Sequence, residues 1–145
     1  MADSAAVTQI RAQLTEAQAK GRAAANHLRE VEAQIAEVHA QAKARKAEIV
    51  DIEARMPALA APALLGDTSA AKALGKLEEA REKARTFLRH YETAQSDFIA
   101  RIDAAHAPLR AMAPTLTSLE DDLHRQLKAE QHAEEATRKA LLRAA

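Results

Sequence analysis

The sequence predicts an all-α protein: a long antiparallel coiled-coil helical hairpin with a proline-interrupted second arm and a C-terminal helical extension. Three observations predict it. Apolar positions recur at alternating steps of three and four over most of the chain, which is the spacing that keeps one side of a supercoiled helix apolar. Of the 145 residues, 48% are hydrophobic but only 2% are aromatic, and most of that content is alanine, too little bulk for a thick globular core. The Ala, Glu, Lys, Leu and Arg bias, with 29% charged residues and 3 glycines, is the profile of long helices.

The first arm is expected over residues 5–56. From Val7 the stripe runs through Ile10, Leu14, Ala17, Gly21, Ala24, Leu28, Val31, Ile35, Val38, Ala42, Arg45, Ile49 and Ile52 to Met56. A stripe with a 3.5-residue period stays on one side of a helix only when the helix coils about a partner. At about 1.5 Å per residue such an arm would be roughly 78 Å long, and it could not bury its stripe alone.

Residues 57–69 are expected to form the turn. Pro57 disfavours helix continuation, Gly66 permits a left-handed backbone, and Asp67 or Thr68 can cap a following helix. Leu59, Leu64 and Leu65 are apolar where loops are usually polar, so they either plug the end of the hairpin or form a docking tip.

The second arm, residues 70–107, resumes the spacing at Ala70, Leu74, Leu77, Arg81, Ala84, Leu88, Tyr91, Gln95, Phe98, Ile102 and Ala105. Folding back with Met56 facing Ala70 pairs Ile52 with Leu74, Ile35 with Tyr91, Leu28 with Phe98 and Leu14 with Met112. In that register Gly21 meets Ala105, and the charged seam residues Arg45 and Arg81 share one layer. Glu48 and Glu78 would stand beside them as a register-fixing polar cluster. The alternative reading of the two arginines is an acidic contact from a partner protein. Phe87, with Ala73, Ala80 and Ala94, widens the apolar stripe of this arm, which suggests cover by a third helix from the C-terminal segment or another subunit.

Pro108 and Pro114 predict a break over residues 108–117, because an interior proline removes a donor and collides with the preceding turn. Thr117 with Glu120 reads as a capping box that restarts a helix over 118–144. In the expected register residues 122–145 have no partner on the first arm, which leaves Leu127 and Leu141 as contact residues for something else.

Charge and motif content exclude several functions. Lys plus Arg (21) equals Asp plus Glu (21), and the balance holds locally, with 8 against 8 in residues 1–56, 7 against 7 in 57–107 and 6 against 6 in 108–145, so no basic surplus exists to displace counterions from nucleic-acid phosphates. No residue is cysteine, which excludes disulfides and thiolate metal sites and fits a reducing compartment. The histidines at 27, 39, 90, 106, 124 and 132 form no H-x-x-x-H pair, so no metal site is expected. The acidic groups "LEEAREKA" and "LEDDL" read as solvated helix charges, and "GDTSAAKALGK" lacks phosphate-loop spacing. The chain is therefore expected to be no enzyme, to hold no cofactor and to bind neither nucleic acid nor membrane. Its N-terminus shows no signal-peptide pattern and no long apolar run follows, which predicts a soluble protein, cytoplasmic where it is made.

The stretch "PALLGDTSAAKALGKLEEAREKA" between two heptad arms resembles small coiled-coil proteins encoded among the structural genes of tailed phages and prophages. The resemblance spans about residues 5–107 and rests on Leu64, Leu65, Gly66 and Asp67, an "LLGD" turn whose Asp starts the second helix. It implies a virion or assembly component with protein partners, within a homo-oligomer or larger assembly, and identifies no active residue. A second reading is a cytoplasmic adaptor or chaperone of the coiled-coil stalk kind found in secretion systems.

Overall fold

The computed structural model describes residues 3–144. It is an all-α helical hairpin of two helices, α1 (Ala5–Leu64) and α2 (Thr68–Ala144), with no strand among the described residues. The chain divides into two compact units. One is Glu30–Ile102, which contains the turn; the other joins residues 3–29, with the start of α1, to residues 103–144 of α2.

The helices begin where local chemistry supplies caps. Ser4 Oγ accepts the Val7 N–H at 3.2 Å, and the Ser4 carbonyl accepts the Thr8 N–H at 2.9 Å. At the other end of α1 the Gly66 N–H bonds to the Ala63 carbonyl at 3.3 Å and the Asp67 N–H to the Pro62 carbonyl at 3.0 Å. This is a Schellman closure, and it requires the left-handed backbone of Gly66, whose φ is 97°. Asp67 at once caps α2, its Oδ1 accepting the N–H groups of Ser69 at 3.0 Å and Ala70 at 3.1 Å. The connection is therefore only residues 65–67, not the 57–69 expected from the prolines.

Two glycines give opposite expected results. Gly66→Ala should lose about 1–2 kcal/mol, because a Cβ is disfavoured at positive φ. Gly75→Ala should gain about 1 kcal/mol, because Gly75 lies on an open helix face with nothing within 4 Å of the new methyl. Urea denaturation followed by helical circular dichroism checks both, and equal effects of one sign would contradict the turn described here.

All four prolines lie inside helices: Pro57 and Pro62 in α1, Pro108 and Pro114 in α2. The expected break over 108–117 is absent, and α2 is continuous through it. The cost of each proline is borne where water can help. Pro57, Pro108 and Pro114 are exposed, as are Glu53, Ala58, Ala104 and Arg110, whose carbonyls lose their helical donors to the four prolines. On the opposite side Met56, Leu59, Leu109, Met112 and Leu116 remain half-buried, so the seam pulls the helix through. The capping box is not used either: Thr117 Oγ1 donates to the Ala113 carbonyl at 3.1 Å, a bond within a helix interior.

The longer α1 moves the register by one heptad from the expected one. In the unit built from 3–29 and 103–144, Gly21 lies against Met112, and a Cβ on Gly21 would stand 3.4 Å from the Met112 sulfur. The expected partner, Ala105, is seven residues away. In the Glu30–Ile102 unit the Arg45 guanidinium lies 5.9 Å from the centroid of Phe87, and Arg85 Nη2 reaches Glu53 Oε1 at 3.1 Å. Continuing the heptads from these contacts places Ile35 opposite Phe98, not Tyr91. Arg45 and Arg81 consequently do not share a layer.

The buried residues are those of the stripe: Val7, Ala17, Leu28, Ile35, Ala42 and Ile52 from α1, with Ala70, Ala84 and Ala105 from α2. Ala42 and Ala84, each 2% exposed, are the least exposed of the buried apolar residues in the Glu30–Ile102 unit. No polar or charged residue among those described is buried. Beside this seam His39 Nδ1 hydrogen-bonds the Tyr91 hydroxyl, and the His39 ring meets the rings of Tyr91 and Phe98 edge-on at 5.5 and 6.1 Å.

Candidate functional site

With a core this narrow, the seam leaves several large apolar side chains uncovered. The turn is the most pronounced. From Met56 to Gly66 no residue is charged. Leu59 is half-buried, whereas Leu64 and Leu65 are each 88% exposed. They are held outward by the Schellman bonds and the Asp67 cap on either side, so the pair is presented by a rigid turn. Covering a leucine fully is worth about 1.5–3 kcal/mol, so a partner that buried both would gain about 3–6 kcal/mol from them.

The second surface lies on the side of the Glu30–Ile102 unit. Phe87 is half-buried, and with Ala80 and Ala84 it floors an open groove of about 390 Å³. Arg45 leans across the ring while its Nη1 donates to Glu48 Oε2 at 2.9 Å, and Lys83 pairs with Glu79 at 3.6 Å across the rim. These are exposed pairs, worth about 0–1 kcal/mol each, and the cation-π contact adds about 0.5–1 kcal/mol. Arg81 stands elsewhere, beside Glu53, Met56, Leu74 and Glu78 in a separate depression. The proposed four-charge cluster is thus divided: Arg45 and Glu48 meet, while Arg81 and Glu78 border a different part of the seam.

The third surface is the C-terminal part of α2. The heptad shift brings Leu123, Gln126 and Glu130 to half-burial, so part of the segment expected to be unpartnered packs on its own unit. Leu127 is 37% exposed at the margin, and every residue from 131 to 144 is exposed, including Leu141 at 68% and Leu142 at 71%. The heptad stripe does not single out Leu142, nor Val50 (69% exposed) and Ile99 (70% exposed). The signal for the last two lies in the heptad itself, since each follows a seam residue, Ile49 or Phe98, by one position and so points off the stripe.

Among the described residues no three His, Cys, Asp or Glu side chains converge as metal ligands, and no helix is long and apolar enough to cross a membrane. Arg101 Nε donates to Asp97 Oδ2 at 2.6 Å, and this bond raises the pKa of a guanidinium that is charged in any case. No protein-family model, curated protein or solved structure matches the chain.

Proposed function

We propose that the chain is a non-enzymatic structural or assembly protein, a virion component of a tailed phage or prophage that docks other subunits through its helical hairpin. The observation that carries the proposal is the pair Leu64 and Leu65, both 88% exposed on a turn fixed by its own hydrogen bonds. A soluble monomer gains nothing by displaying two adjacent leucines on a rigid mount, whereas a docking element gains affinity, because no ordering of the turn is needed on binding. The even charge balance supports the same reading, since it disfavours nucleic acid as the occupant. The resemblance of the "LLGD" turn to those of phage structural proteins supplies the virion assignment. On this reading the protein is made in the cytoplasm, ends in the particle, and works in a homo-oligomer or larger assembly.

The double variant Leu64→Ser, Leu65→Ser separates docking from folding. Both residues are exposed, so stability should change by less than about 0.5 kcal/mol. Particles raised in the strain that carries the gene should contain the unaltered chain by mass spectrometry and lose most of the variant. Particles that form in normal yield and contain neither would overturn the assignment, and recovery of the chain with an export ATPase would support the secretion-adaptor reading instead.

A further inference from the structure

We draw no further inference here: the strongest candidate, the open groove of the Glu30–Ile102 unit floored by Ala80, Ala84 and Phe87, has four of its five charged lining residues paired within the chain, Arg45 with Glu48 and Lys83 with Glu79, and nothing in the structure shows what covers it.

Discussion

Replacing Pro108 and Pro114 together by alanine should raise the stability of the hairpin by about 2–3 kcal/mol for each proline removed. The gross gain is the interior-helix difference between the two residues, about 3 kcal/mol. It has two parts: a restored N–H donor to the carbonyls of Ala104 and Arg110, and relief of the collision between each ring and its preceding turn. Against it stands the freer unfolded chain, which costs about 0.4–1 kcal/mol per proline. The new methyl groups meet no obstruction, because Pro108 and Pro114 are both exposed. Urea unfolding followed at 222 nm measures the gain directly. A loss of stability would mean that the prolines shape α2 for its packing on α1, and that they are built into the fold rather than tolerated by it.

The second large effect has the opposite sign. Ile35→Asp should unfold the protein at room temperature, whereas Val50→Asp should change stability by less than about 0.5 kcal/mol. Ile35 is 6% exposed in the seam and Val50 is 69% exposed on the same helix, so the two substitutions share chemistry and local helix propensity and differ in burial. Losing the Ile35 side chain costs about 2–5 kcal/mol, as for truncation to alanine. Placing an unpaired carboxylate there adds a desolvation cost of at least a further 1–3 kcal/mol. A domain of this size has about 5–15 kcal/mol in total, and one with so thin a core lies at the low end. Retained helicity and an unchanged midpoint in Ile35→Asp would show that the stripe is not what holds the helices together.

The stripe was legible because burial in a hairpin follows periodicity almost alone. Val7, Ala17, Leu28, Ile35, Ala42, Ile52, Ala70, Ala84 and Ala105 all lie in the heptad series and all are buried. The cap at Asp67 and the left-handed Gly66 were equally readable, because each is a local demand met by a particular residue type. The extent of the turn was not. Proline's penalty is local and countable, while the gain that offsets it comes from side chains such as Met56 and Leu59 packing on a helix that the local pattern does not reveal.

The end of α1 sets the register of the whole hairpin. Ending α1 at residue 56 rather than Leu64 shifts every facing pair by a heptad, which put Arg45 with Arg81 and Gly21 with Ala105. The matching of small residues with small ones was a misleading guide: Gly21 makes room for the bulky Met112 across the seam, so glycine here complements size. Of the expected contact residues, Leu64, Leu65 and Leu141 are well exposed, Leu127 is marginal, and Leu59 and Phe87 are half-buried. The two arginines stand apart, for the same reason of register.

The register is also the most direct point of test. Cysteines at Gly21 and Met112 in one chain should form an intramolecular disulfide rapidly under mild oxidation, read as a mobility shift of the monomer on a non-reducing gel. Cysteines at Gly21 and Ala105 should not, since a heptad displaces them by about 10 Å along the helix. Rapid closure of the 21–105 pair with none of the 21–112 pair would contradict a hairpin closed at residues 65–67.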